Sequence, residues 1–283
     1  VTPPLQPQIA IALTDATVGY ANTPVLSNVT LTVRAGEFVG IVGPSGAGKT
    51  TLLKLFTGGA NLISGQFTLN GETPRKHKTA RKTAVAYVPQ LDSIDPSFPL
   101  TAKEVVLLGG AANSRKLPWF SRAEQQRATG LLDRLGIQEL AYRRVSELSG
   151  GQRQRMFVAR ALFHDCSVLL LDEPTSGVDL ATRAEMLQLL GELHHDGLTV
   201  LITTHDLNFV AAHLPRIVCV NGTVTADGKP GDMLSVDVLQ RTFGHALTVL
   251  NINGRPVVID PERIELHSAL AHQAPVGTDM AAP

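Results

Sequence analysis

Gly43-Pro44-Ser45-Gly46-Ala47-Gly48-Lys49-Thr50 fits the pattern G-x-x-x-x-G-K-[ST]. It follows Phe38 to Val42, a continuous apolar run with buried-strand character, and leads into Lys49 to Phe56, where leucine returns at helical spacing. Strand, loop and helix in this order let glycine backbone N–H groups wrap a polyphosphate, while Lys49 and Thr50 reach the outer phosphate and Mg²⁺. A glycine-rich turn before a helix is ordinarily a plain tight loop. The added Lys-Thr pair turns the reading to a nucleotide, which is a ligand class and not yet a function.

Outward from this loop the pattern is that of an α/β protein. Ile9 to Val18 and Val29 to Val33 alternate apolar residues with Thr, Ala and Asp, as half-buried strands of an antiparallel edge sheet do. Leu91 to Glu147 is helical and interrupted by Pro96, Pro99, Gly109-Gly110 and Pro118, which suggests a helical subdomain, about 91–165, inserted between core strands. Val168 to Leu171 and Val200 to Thr203 return to buried-strand character around an amphipathic helix, Ala181 to His194, so the core sheet is expected to be mostly parallel. Arg216 to Ala226 reads as a hairpin about Asn221-Gly222. The expected organisation is a flexible leader at 1–8, one domain at 9–244, and a C-terminal extension at 245–283. That extension is expected to pair Leu247 to Ile252 with Pro256 to Ile259 about Asn253-Gly254 and to end in a disordered Ala- and Pro-rich tail.

Composition narrows the partners. Lys and Arg total 25 against 25 Asp and Glu, so no net field draws the chain to nucleic acid or to an anionic membrane surface. No run of about eighteen uncharged apolar residues occurs, and Val1 to Pro7 lacks the regions of a secretory signal. If a membrane is involved, another subunit is expected to span it. Cys166 and Cys219 sit in or beside apolar runs and read as small core residues in a reducing cytoplasm. The basic stretch Arg75-Lys76-His77-Lys78 with Arg81-Lys82 reads as a solvated loop, and His245, His267 and His272 lack compact ligand spacing.

Two further motifs follow the loop. Leu169 to Leu171 is an apolar strand that ends in Asp172, placing a carboxylate at the sheet edge where open α/β sheets bind ligands; Asp172 is positioned to orient Mg²⁺. Before it, Leu148-Ser149-Gly150-Gly151-Gln152 precedes a helix expected over Arg153 to Phe163, whose N-terminus should face an anion. Taken alone, Ser-Gly-Gly is a flexible helix start. In the order loop, pentapeptide, acidic strand, the three motifs resemble those of the ATP-binding cassette family, the ATPase subunits of ABC transporters.

That resemblance covers about Ile9 to Gly244 and implies a P-loop NTPase fold of the ABC-ATPase type. The implied ligands are ATP and Mg²⁺, held by Gly43 to Thr50 with Thr51, and by Thr50, Gln90 and Asp172 for the metal. It makes Glu173 the carboxylate that polarises the attacking water, His205 the histidine on the γ-phosphate, and Gln90 the glutamine that reports nucleotide state. Tyr20 would stack on adenine, with core packing as the competing explanation. Ser149, Gly150, Gly151 and Gln152 would act on ATP held by a second copy, and Ser176-Gly177-Val178-Asp179 would couple the two sites.

Val88-Pro89-Gln90, then Ser93-Ile94-Asp95, Phe98-Pro99 and Val105 to Gly109, resemble the branch serving manganese and zinc importers. The implied partners are a second copy, a membrane permease and, through the permease, a solute-binding protein, with the chain on the cytoplasmic face of the membrane. Cassettes for iron, haem, cobalamin or iron-chelate uptake are near relatives and stay open as an alternative. DNA-repair and ribosome-associated cassettes usually carry a coiled-coil insertion or two cassettes, and neither pattern occurs here. A nucleotide-binding regulator without turnover is disfavoured by the presence of both Glu173 and His205.

Overall fold

The computed structural model describes residues 8–74, 85–91, 99–110, 120–245, 247–252 and 255–259. The basic stretch 75–82, the segment 92–98, the Asn253-Gly254 turn and the tail with His267 and His272 lie outside them. Two long strands, β1 (Ile9–Tyr20) and β2 (Thr23–Arg34), pair antiparallel. Val29, Leu31 and Val33 point inward while Thr30, Thr32 and Arg34 point out, the alternation of a sheet with one wet face. β3 (Phe38–Val42) then enters the core, and α1 (Lys49–Thr57) follows the glycine loop. β4 (Asn61–Leu69) returns to pair with β1, giving a three-stranded sheet of order β2-β1-β4.

The remaining strands build a six-stranded sheet. They are β5 (Val85–Val88), β6 (Val168–Asp172), β7 (Thr199–Thr204), β8 (Arg216–Val220) and β9 (Val224–Gly228), and the order is β5-β6-β7-β3-β8-β9. All pairs are parallel except the β8–β9 hairpin. Every residue of β3, β6 and β7 is buried, because helices or the second sheet cover both faces; this is why Phe38 to Val42, Val168 to Leu171 and Val200 to Ile202 read as apolar runs. Their alternate residues serve two cores. Leu169, Leu171 and Ile202 join a cluster with the helices of the inserted segment, whereas Val168, Leu170 and Leu201 join α1 and the antiparallel sheet.

The segment between β5 and β6 contains α2 (Ala102–Leu108), α3 (Arg122–Arg134) and α4 (Gly150–Leu162). Each begins with a reciprocal cap, Thr101 with Glu104, Ser121 with Glu124 and Ser149 with Gln152. The third cap corrects the sequence expectation that the helix starts at Arg153. Ser149 Oγ accepts the Gln152 N–H at 3.3 Å and Gln152 Oε1 accepts the Ser149 N–H at 2.9 Å, so both glycines lie in the first helical turn.

After β6, α5 (Leu180–His195) is capped by Asp179, and α6 (Leu207–His213) by Asp206. The chain closes with α7 (Pro230–Met233), α8 (Val236–Phe243) and the antiparallel pair β10 (Thr248–Ile252) and β11 (Arg255–Ile259). Among the described residues no helix is long and apolar enough to cross a membrane.

Candidate nucleotide site

The loop from Gly43 to Gly48 is fixed by its neighbours. A Cβ at Gly43 would lie 2.0 Å from Val220 O, and one at Gly48 would lie 2.5 Å from Leu26 Cδ2. Gly48 also has φ 97°, a conformation that L side chains rarely adopt. Gly222 N–H donates to Ala47 O at 3.1 Å, tying the loop to the β8–β9 turn. Among the described residues no side chain caps the N-terminus of α1, and no acidic residue occupies its first turn. Its first N–H groups and positive dipole end therefore face the cleft ready for an anion.

Lys49 is 7 % exposed, and its Nζ donates to Gly43 O at 2.8 Å and Pro44 O at 2.9 Å. Burial pulls its pKa below the ordinary lysine range, and the carboxylates of Glu173 and Asp172 oppose that pull. Val25, Ser45 to Thr51 and Glu173 line a cleft of about 250 Å³ at this point.

Asp172 ends β6 at 3 % exposure. Its Oδ1 accepts from Thr203 Oγ1 at 2.5 Å and its Oδ2 from Tyr87 OH at 3.1 Å. Burial and the Asp172 charge together push the Tyr87 phenol far up, so this hydroxyl stays a donor. The Glu173 N–H donates to the same Thr203 Oγ1 at 3.0 Å, and Glu173 Oε2 lies 3.2 Å from His205 Nδ1. Tyr87 and Thr203 were not among the residues singled out from sequence. Thr203 shares β7 with Thr199 and Thr204, and only the pairing of β5 and β7 with β6 sets the Tyr87 and Thr203 hydroxyls on Asp172.

Gln90 follows β5 and is half-buried, and the β5–β6 register sets Val88 beside Leu171, one residue before Asp172. Tyr20 ends β1 at 41 % exposure with Lys54 Nζ 6.0 Å from its ring centre, so core packing does not account for it. Thr50 is half-buried and Thr51 buried.

Ser149 to Gln152 and Asp179 form a second cluster. A Cβ on Gly151 would sit 2.3 Å from Thr182 Cγ2, and one on Gly150 3.6 Å from Val178 Cγ1. Asp179 accepts from Thr182 N–H at 2.9 Å and Thr182 Oγ1 at 2.8 Å. None of these residues lines the cleft at the glycine loop. The structure thus gathers the loop, Asp172, Glu173 and His205 in one place and the pentapeptide with Asp179 in another, on either side of the turn from Glu173 to Asp179.

A buried cation on a glycine loop, two adjacent acids and an imidazole can bind a polyphosphate and take a proton from water. Comparison with known proteins agrees. The chain is 37% identical over 240 residues to the manganese transport system ATP-binding protein MntB of Bacillus subtilis (strain 168), covering 85% of this chain and 94% of that protein. It is 38% identical to the zinc transport system ATP-binding protein TroB of Treponema pallidum (strain Nichols), covering 83% and 87%. Among solved structures, the dimeric ATP-binding cassette MJ0796 in a post-hydrolysis state with ADP and Pi superposes with a TM-score of 0.67 at 31% identity, covering 78% of this chain and 98% of that one. The family model described as ABC transporter matches residues 26–176, and the chain belongs to that family as an ATP-hydrolysing cassette.

Proposed function

We propose that this chain powers the import of a divalent metal cation, manganese or zinc, through a separate permease at the cytoplasmic face of a membrane. The manganese and zinc transport systems named for its relatives support this cargo. One observation carries the mechanism: the cleft is lined by Ser45 to Thr51 and Glu173 but by nothing from Ser149 to Gln152. Each chain offers two separate halves of a cradle, and ATP joins the loop of one copy to the capped helix of another.

In this reading Lys49 and the α1 N-terminus hold the phosphates, Tyr20 stacks on adenine, and Ser149, Gly150, Gly151 and Gln152 present the partner copy's helix end. Asp179 couples the paired sites. Glu173 accepts a proton from the attacking water, and His205, held on the Glu173 carboxylate, reaches the terminal phosphate. Mg²⁺ fits the donors present: the hydroxyl of Thr50, the amide oxygen of Gln90, and Asp172, a buried carboxylate whose hydrogen bonds come from two neutral hydroxyls. When bound, that cation neutralises phosphate charge.

The test is Glu173→Gln examined by solution scattering with and without ATP. The variant is expected to bind ATP, lose turnover and accumulate as a dimer; monomers at saturating ATP with the permease supplied would refute the shared cradle. Cargo is read from the permease and binding protein that co-purify and from uptake of labelled manganese, zinc and iron. Uptake of iron alone would replace the metal assignment.

A further inference from the structure

Asn208, the second residue of α6, grips the backbone of Val258 in β11 with both ends of its amide. Its Nδ2 donates to Val258 O at 3.0 Å and its Oδ1 accepts the Val258 N–H at 2.7 Å. This is the pairing a neighbouring strand would offer; here a helix side chain supplies it. Val258 is 8 % exposed and belongs to the same buried cluster as Leu207, Phe209 and Val210 of α6. The C-terminal hairpin is therefore fastened to α6 by both apolar packing and a two-point polar clamp.

The N-terminal end of this helix is fastened too. Asp206 Oδ1 accepts the Phe209 N–H at 2.9 Å, and its Oδ2 receives Arg183 Nη1 of α5 at 2.5 Å. The Asp206 N–H donates to Thr204 Oγ1 at 3.0 Å. His205 sits between the end of β7 and this seven-residue helix. A helix that short has little stability of its own, so its placement comes from what holds it. The His205 side chain is 57 % exposed and meets the Glu173 carboxylate at 3.2 Å, so the backbone on either side does much to aim it.

We propose that the hairpin β10–β11 is a positioning element for ATP hydrolysis and that Asn208 is a positioning residue, keeping α6 where His205 meets Glu173. The inference rests on the reading of Glu173 and His205 as the hydrolytic pair. It gives the C-terminal extension a task at the site without contact to nucleotide.

The experiment uses the full chain with Asn208→Ala, which removes both clamp bonds. Turnover per nucleotide-binding site should fall about tenfold, within the roughly hundredfold that a misplacement of about 1 Å can cause, while KM for ATP stays within about twofold of the parent, since no phosphate contact is lost. In a His205→Ala background the same substitution should cause no further loss, because residues acting through one another do not add. Parental turnover in Asn208→Ala, or a loss that adds fully to that of His205→Ala, overturns the proposal. Parental turnover in His205→Ala itself would instead remove the reading of the hydrolytic pair, and the positioning role with it.

Discussion

His205 Nδ1 lies 3.2 Å from Glu173 Oε2, and the Glu173 backbone reaches that contact at φ 47°. A side chain in the left-handed region costs about 1 to 2 kcal/mol, so this carboxylate is placed at the expense of stability. Glu173→Gly should therefore leave the unfolding midpoint equal to or above the parent's, although turnover falls at least about a hundredfold through loss of the proton acceptor. Denaturant titration beside a phosphate-release assay checks both halves. A variant clearly less stable than the parent would show that the conformation carries no strain.

Gly151 and Thr182 define the contact between α4 and the start of α5. An added Cβ would be 2.3 Å from Thr182 Cγ2, so one element must shift, and Gly151→Ala should cost about 1 to 3 kcal/mol, the usual range for overpacking. Thr182→Ser deletes the clashing methyl but keeps a hydroxyl for the 2.8 Å bond to Asp179 Oδ2. The pair Gly151→Ala with Thr182→Ser should recover most of the loss. Gly150→Ala, with Val178 Cγ1 at 3.6 Å, should be tolerated far better. Equal urea midpoints for the two alanine variants would contradict this account of the second glycine.

Much of the fold was legible because its signals are local. The buried strands show as apolar runs, Phe38 to Val42, Val168 to Leu171 and Val200 to Ile202, and the glycine loop announces the strand before it and the helix after it. Where the reading slipped, a second local signal had been passed over. Ser149 with Gln152 three residues on is a capping pair of the same form as Thr101 with Glu104, and it moves the start of α4 back to Gly150. Tyr87 and Thr203 escaped because their role depends on strand order: β5 and β7 flank β6, and nothing in a linear chain says so. The clamp from Asn208 to Val258 spans 50 residues and joins elements with no shared periodicity. The separation of Ser149 to Gln152 from the loop is likewise a property of the folded chain, visible only when both clusters are placed.

Lys49 and Tyr20 allow the two parts of ATP recognition to be ranked. An ion contact at about 4 Å is worth about 4 kcal/mol at an effective dielectric near 20, against about 1 to 3 kcal/mol for a base on an aromatic ring. Tyr20 is also partly in solvent, at 41 % exposure. Lys49→Ala should thus weaken ATP binding more than Tyr20→Ala, and calorimetric titration of both with ATP and ADP checks the order. Equal losses would mean that the base contributes as much as the phosphates and would refute the ranking.

Glu104 gives the acid limb of stability a definite sign. The Thr101 backbone N–H and hydroxyl both donate to Glu104 Oε2 at 2.8 Å, and these bonds, the backbone one foremost, hold the carboxyl below its ordinary value of 4.5. A group whose folded pKa is depressed releases its proton more readily when folded. Between the folded and unfolded values the unfolded chain binds more protons, so stability rises with pH there. The contribution is complete above pH 4.5 and disappears as pH falls through the lower folded value. Glu104→Gln can still accept the Thr101 N–H but has no proton to gain. Urea midpoints of parent and variant should therefore differ near neutral pH and converge as the solution is acidified below pH 4.5. A gap that stays constant through that window would mean that the cap does not depend on the ionised carboxylate.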